Sequence, residues 1–379
     1  MNIAFFTASR ADYGKIKPVI LETKRKKIKF KIFVTGTHLL KEYGNTKNHI
    51  IKDFGKKNLI IFKNQNFGES QKLIFKNTVN KFTIALEKKY FDCVFIHGDR
   101  IETLAAASVL TFSKIRISHI EGGELSGTVD EMIRHSVTKL SHLHFVTNSA
   151  AKKVLIKSGE DKKNIFITGS PDIDLFDRNL RPTIEEVKKR YGIIFKEYVI
   201  SFLHPVTTDS KIETKKKAQI YFEAVRQLKD ENIIQFVPNN DDNSEEILNV
   251  LKKKLTNKPN IKILKSMRFE FYLTLLENSK LIIGNSSSAI MEAPYFNVPA
   301  INVGDRQSNR YGLDLVINTS FTKRNIMSSI KKVKKIKPKF KPIFGNGDSA
   351  KKITNVLLSK KFSKIMIQKT YNRLKSTWE

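Results

Sequence analysis

Short apolar runs that alternate with longer helical stretches constrain this chain more than any other feature. Runs rich in β-branched and aromatic residues at 2–7, 29–35, 58–62, 92–97, 115–120, 143–147 and 164–168 read as strands, with amphipathic patterns between them. A second series follows at 197–203, 233–237, 261–264, 280–284 and 299–303. Strands connected through helices pair in parallel, so the chain is α/β with doubly wound sheets. A length of 379 residues exceeds what one core usually organises, and two halves are expected. The break falls in the turn-rich stretch from Gly169-Ser170-Pro171 to Pro182, ahead of Thr183-Ile184-Glu185-Glu186, which has the spacing of a capping box. The expected division is 1–170, 171–362 and a C-terminal helix at 363–379, part of a helical, basic tail from 347 onward that packs back across the junction. Ligands of open parallel sheets bind beyond the carboxyl ends of the strands, so two such halves enclose a cleft lined by strand exits.

The formal charge of +32 raises the question of nucleic acid. Its distribution argues against it: 55 of the 69 basic residues are Lys, scattered along nearly every helix, whereas base and phosphate recognition favour the bidentate fork of Arg. The charge does favour small anions. The single cysteine, Cys93, lies in the apolar run Asp92-Cys93-Val94-Phe95-Ile96, which excludes disulfides and cysteine zinc sites. No apolar run approaches the ~20 residues of a membrane span. The start, Met1-Asn2-Ile3-Ala4-Phe5-Phe6, lacks the order of a signal peptide, and a cytoplasmic location with no membrane partner is expected.

Chemistry-bearing residues gather at the strand exits. After the first strand comes Ser9-Arg10-Ala11-Asp12-Tyr13-Gly14, where Arg10 at a strand-to-helix turn suits a diphosphate, or is simply an exposed Arg beside a capped helix. The fourth strand ends in His97-Gly98-Asp99-Arg100 and the fifth in His119-Ile120-Glu121-Gly122-Gly123-Glu124. A small-residue loop, 125–129, leads to Asp130, with Arg134 one turn later and His135 beside it. Asp99, Glu121 and Asp130 are thus placed to converge. Inverting a sugar carbon requires one group to take its proton and another to return it, and several carboxylates of divergent pKa meet that need. Loop closure by Asp99 and helix capping by Asp130 are the bland alternatives. His142 and His144 are assigned to packing or hydrogen bonding. In the second half, Ser201 to Thr208 carries His204 at a strand end, and Phe236 to Asp241 carries Asn239. Gly284-Asn285-Ser286-Ser287-Ser288 leaves a strand for a helix with Glu292, an arrangement suited to a diphosphate and a ribose, or else a serine-rich cap. Gly304 to Arg310 adds two cations, Arg306 and Arg310.

Together these motifs resemble the hydrolysing UDP-N-acetylglucosamine 2-epimerases of bacterial sialic acid pathways over almost the whole chain. Ser-Arg-Ala-Asp-Tyr-Gly at 9–14, His-Gly-Asp-Arg at 97–100, the run from His119 to Asp130, Ile-Arg-His-Ser at 133–136, Gly-Ser-Pro-Asp at 169–172, His-Pro-Val-Thr-Thr at 204–208, Gly-Asn-Ser-Ser at 284–287 and Gly-Asp-Arg-Gln at 304–307 occur in family order. The resemblance implies a GT-B architecture: two Rossmann-like domains with an interdomain cleft, UDP held chiefly by the second, and the C-terminal helix, 363–379, returning to the first. It implies elimination of UDP to a 2-acetamidoglucal, then addition of water to give N-acetylmannosamine, with no cofactor and no metal. Asp99, Glu121 and Asp130 take acid/base roles, Arg10 and His204 assist the departing diphosphate, Ser286 and Ser287 bind phosphate and Glu292 the ribose. Glu124, Arg134, His135, Asn239, Arg268, Asn285, Ser288 and Arg306 complete the expected substrate contacts. The expected partners are a UDP-sugar and further copies of the chain in a dimer or tetramer, with no nucleic acid. A close branch that acts on UDP-diacetylbacillosamine shares most of these motifs. The non-hydrolysing branch typically carries Arg-Pro-Glu where this chain has Arg10-Ala11-Asp12. A GT-B glycosyltransferase would share the UDP cradle but has no use for three strand-end carboxylates.

Overall fold

The computed structural model describes residues 1–126, 128–312, 315–333 and 342–369. It contains two all-parallel sheets. The first comprises β1 (Asn2–Thr7), β2 (Lys29–Val34), β3 (Leu59–Ile61), β4 (Cys93–His97), β5 (Arg116–Ile120), β6 (Leu143–Val146) and β7 (Ile165–Ile167), in spatial order 3-2-1-4-5-6-7. The second comprises β8 (Val199–Phe202), β9 (Ile233–Phe236), β10 (Ile261–Leu264), β11 (Leu281–Gly284), β12 (Ala300–Val303) and β13 (Ile317–Thr319), in order 10-9-8-11-12-13. The strand runs read from the sequence recur in both. The addition is β13, a three-residue edge strand, Ile-Asn-Thr, too short and too polar to stand out as an apolar run.

Helices cover both faces of each sheet, so the central strands are apolar throughout. Phe5, Phe95 and Phe145, on β1, β4 and β6, stack with ring centroids 5.0 and 5.9 Å apart along one face of the first sheet. In the second sheet Phe202 and Phe236 stack at 4.6 Å.

Strand order reverses between β1 and β4 in one sheet and between β8 and β11 in the other. A crevice opens at such a switch point, because the connections on its two sides leave in opposite directions. At the second switch the backbones come very close. Gly284 has φ 138°, and a Cβ there would lie 1.7 Å from the Phe202 carbonyl oxygen, so only glycine fits.

The chain crosses between the halves twice, and the crossings touch: the Ser170 amide donates to the Phe344 carbonyl at 2.6 Å. The second crossing leads to the helix Ser349–Leu357, whose first amides, Ser349 and Ala350, donate to the Asp174 carboxylate at 2.9 and 2.7 Å. Ile353, Leu357, Phe362 and Ile365 join Tyr13, Ile16 and Ile20 in the core of the first sheet. The return therefore starts well before residue 363. A short helix, Lys360–Ser363, ends where the expected tail helix was to begin, and 364–369 runs on without helix. The chain there makes backbone bonds instead: Arg116 and His142 donate to the carbonyls of Ile365 and Ile367, each at 2.8 Å. The rest of that expected helix, 370–379, lies outside the described residues.

Polar contacts also tie the halves. Lys17 pairs with Asp53 at 3.0 Å and with Glu270 of the second half, and Arg268 reaches Asp53 at 3.1 Å. Elsewhere Asn240, after β9, accepts from Arg100 at 2.7 Å and from Gln71 at 3.2 Å. Among the described residues no helix is long and apolar enough to cross a membrane.

Candidate functional site

Between the halves lies a cavity of about 570 Å3, lined by the exits of β1, β4 and β5 on one side and of β8, β9 and β11 on the other. The helix Arg10–Arg25 begins directly after β1, with Ser9 and Asp12 forming a reciprocal capping box that fixes its entry. One turn along, this helix delivers Lys15, a residue that the motifs did not single out. Its ammonium pairs with Asp172, lies 3.4 Å from Glu121 and 3.7 Å from Glu292, and donates to Ser170 at 3.2 Å. One cation thus joins carboxylates from both halves. Burial alone would lower its pKa, but Asp172, Glu121 and Glu292 hold the ammonium well above the usual lysine range.

Glu121 leaves β5 in the left-handed conformation, φ 63°, which is costly for a residue with a Cβ. Its carboxylate is fully engaged: Ser170 donates to one oxygen, and His97 lies 3.1 Å from the other. Burial opposes its charge, yet Lys15 and His97 hold it well below the usual range. Gly123, at φ 80°, permits the turn that follows; a Cβ there would meet Leu155 at 2.1 Å and the Ala151 carbonyl oxygen at 2.5 Å.

Asp99 pairs with Arg134, whose guanidinium also donates to the Glu124 carbonyl at 2.5 Å. Burial pushes Asp99 up, but Arg134 more than offsets this and keeps it below the usual range. Asp130, in the first turn of the helix Val129–Leu140, differs. Burial, with the charges of Asp99 and Asp241, pushes it up to about 6, against the pull of Arg306 at 3.7 Å. Carboxylates on one cleft wall thus have pKa values driven apart.

On the opposite wall the His204 ring accepts from the Asn239 amide through Nδ1 at 3.1 Å, which leaves Nε2 as its donor. Burial, then Arg306 and Arg10, keep it neutral, well below the usual histidine value. Ser286, Ser287 and Ser288 line the cavity after β11. Burial pushes Glu292 up to about 7, against the pull of Lys15, and one of its buried oxygens has no hydrogen-bond partner. Arg306 donates to the carbonyls of Pro205 and Asn285 at 3.3 and 3.4 Å and faces Asp130 and Asp241, each at 3.7 Å.

Three expected contacts lie elsewhere. Asn285 is wholly buried and holds the second switch point together: its side chain accepts from the His204 amide and donates to the His204 carbonyl, both at 2.8 Å. His135 does not line the cavity; its ring lies 3.9 Å from Glu131, one turn back on its own helix. Arg268 is likewise off the cavity, committed to Asp53 and Glu270. The remaining expected residues, Arg10 and Glu124 among them, line it. His142 and His144 bond away from it, to Ile117 and Ile367 and to Glu160.

The profile of one protein family, UDP-N-acetylglucosamine 2-epimerase, matches residues 22–358. The chain belongs to this family. A UDP-N-acetylglucosamine 2-epimerase of Neisseria meningitidis serogroup B is 42% identical over 330 residues, 87% of this chain and 86% of its own. A UDP-N,N'-diacetylbacillosamine 2-epimerase (hydrolyzing) of Legionella pneumophila is 34% identical over 94% of this chain and 95% of its own. Among solved structures, a UDP-GlcNAc 2-epimerase of Neisseria meningitidis bound to UDP-GlcNAc matches with a TM-score of 0.78 at 20% identity, covering 94% of this chain and 100% of that one. The Methanocaldococcus jannaschii epimerase, in complex with UDP-GlcNAc and UDP, gives 0.79 at 22%, covering 94% and 99%. The two facing sheets of this epimerase are those of the GT-B architecture.

Proposed function

We propose that this epimerase is of the hydrolysing type: it converts UDP-N-acetylglucosamine and water to UDP and N-acetylmannosamine for sialic acid synthesis. The observation that carries this reading is that Asp99, Glu121 and Asp130, differently tuned, face the Ser286–Ser288 turn across one cavity. UDP then lies on the second half, with phosphate oxygens at the serine turn, the ribose on the free oxygen of Glu292, and Arg10 with His204 at the diphosphate. The carbon 1 to oxygen bond breaks and UDP leaves with the electron pair. Asp130 removes the carbon-2 proton, because a group of pKa near 6 is mostly ionised at neutral pH yet still basic. Carbons 1 and 2 become doubly bonded. Asp99 and Glu121, held ionised, stabilise positive charge at carbon 1 while the bond breaks. Water then adds: its hydroxyl bonds to carbon 1, and the proton it gives up is relayed by His97, held by Glu121, to carbon 2 on the face opposite Asp130.

The Legionella relative supports a second reading, in which UDP-diacetylbacillosamine is the substrate and the same chemistry follows. The deciding experiment incubates the protein with each nucleotide sugar in deuterium oxide and follows the products by proton NMR. UDP with carbon-2-deuterated N-acetylmannosamine is the expected outcome. Consumption of the diacetylated sugar alone moves the substrate to the second reading, and an unhydrolysed UDP-sugar epimer would show that water is not the second reactant.

A further inference from the structure

The cavity contains several guanidinium groups, and two of them, those of Arg10 and Arg310, make no ion pair among the described residues. Arg134 is paired with Asp99, and Arg306 faces Asp130 and Asp241. Arg310 makes no ion pair among the described residues, although it lines the same cavity. Its position is built with care. The Asn285 carbonyl, at the second switch point, accepts from Gln307 Nε2 at 3.0 Å, and Gln307 Oε1 accepts from Arg310 Nε at 2.7 Å. The turn is closed by the Arg310 amide on the Gln307 carbonyl at 3.2 Å, with Asn309 left-handed at φ 64°. Arg310 Nη1 rests 3.6 Å from the Met291 sulfur, and Nη2 has no hydrogen-bond partner among the described residues. Gln307 is 1% exposed, so this chain of contacts is packed in place and the guanidinium does not swing freely.

Its surroundings tell what it faces. The charges acting on Arg310 are those of Arg134, Glu124, Asp99 and Arg306, the acid end of the cavity. Arg10, by contrast, donates to the Met267 carbonyl and is acted on by Tyr191 and Tyr272 rather than by the acids. Arg310 therefore lies nearer the acids than Arg10 does. In the binding mode proposed above, on which the assignment rests, UDP lies on the second half and the sugar at the carboxylates, so the β-phosphate, which carries the sugar, is the phosphate nearer the acids. We propose that Arg310 holds the β-phosphate, the group on which charge accumulates when the carbon 1 to oxygen bond breaks, while Arg10 and His204 serve the α-phosphate.

The assignment is tested by calorimetric binding of UDP and of UMP to the wild type, Arg310→Met and Arg310→Lys, together with steady-state turnover of UDP-N-acetylglucosamine. Loss of a charged hydrogen bond predicts at least about tenfold weaker UDP binding by Arg310→Met, with UMP binding within twofold of wild type. Turnover should fall about 100-fold in kcat, the effect of removing one donor to a developing anion. Arg310→Lys, which keeps the charge but loses the fork, should lie between. UMP binding by the variants doubles as the check that the second half is folded. Equal losses for UDP and UMP, or no loss for either, overturn the assignment while leaving the proposed reaction intact. A wild type that binds no UDP overturns both.

Discussion

At the residue scale, the decisive property is the separation of carboxylate pKa values. With Asp130 pushed up to about 6 in the free protein and acting as the base, kcat/KM should fall as pH drops through about 6, because protonation removes the base. Asp130→Asn should abolish carbon-2 deuterium exchange and flatten that limb; a limb that persists unchanged would assign it to another group. Lys15→Met should cost roughly 3–5 kcal/mol in urea unfolding, since it leaves Asp172 and two further buried carboxylates without their cation. Much of this site was legible in the sequence because its residues sit at strand exits. What was not legible depends on direction and on distance along the chain. Arg134 and His135 are adjacent, yet a helix turns about 100° per residue, and one faces the cavity while the other faces Glu131. Asn285 and Ser286 diverge in the same way at the end of β11. Lys15 reads as one lysine among many, and only its meeting with Asp172 and Glu292, far away in sequence, gives it a role.

At the scale of elements, the parallel strands declared themselves through continuous apolar runs, and β13 escaped because a three-residue edge strand buries too little to leave one. The tail was harder for a different reason. A basic amphipathic pattern marks a helix but not what that helix docks on, and the docking of Ser349–Leu357 depends on Asp174, which receives its first two amides from the other side of the crossing. Asp174→Ala should therefore cost about 1 kcal/mol, as removal of a capping acceptor does, measurable by thermal unfolding. Burial holds Asp174 near 6 in the folded protein, above the ~3.9 of an unfolded chain. The folded state then binds more protons between those values. Its contribution to stability is full below about 4 and is lost as pH rises through about 6, so Asp174→Asn should flatten the stability curve across that window.

At the scale of the whole molecule, the cavity exists only while the halves face each other, and the Lys17, Asp53, Arg268 and Glu270 cluster helps to hold them. Glu270→Gln should raise KM several-fold with little change in kcat, and the radius of gyration from small-angle scattering should increase without ligand. The two crossings lie side by side, with Gly169 against Gly345, so the covalent links between the halves run along one margin like the spine of a book. Rotation about that spine moves whatever is near it least. Lys15, Ser170 and Asp172 sit beside the spine, where any such rotation would displace them least. Asp130 and Arg306, one on each cover and 3.7 Å apart, would be parted by the same rotation, so shutting the book would assemble the proposed proton-transfer end while leaving the lysine nest as it is.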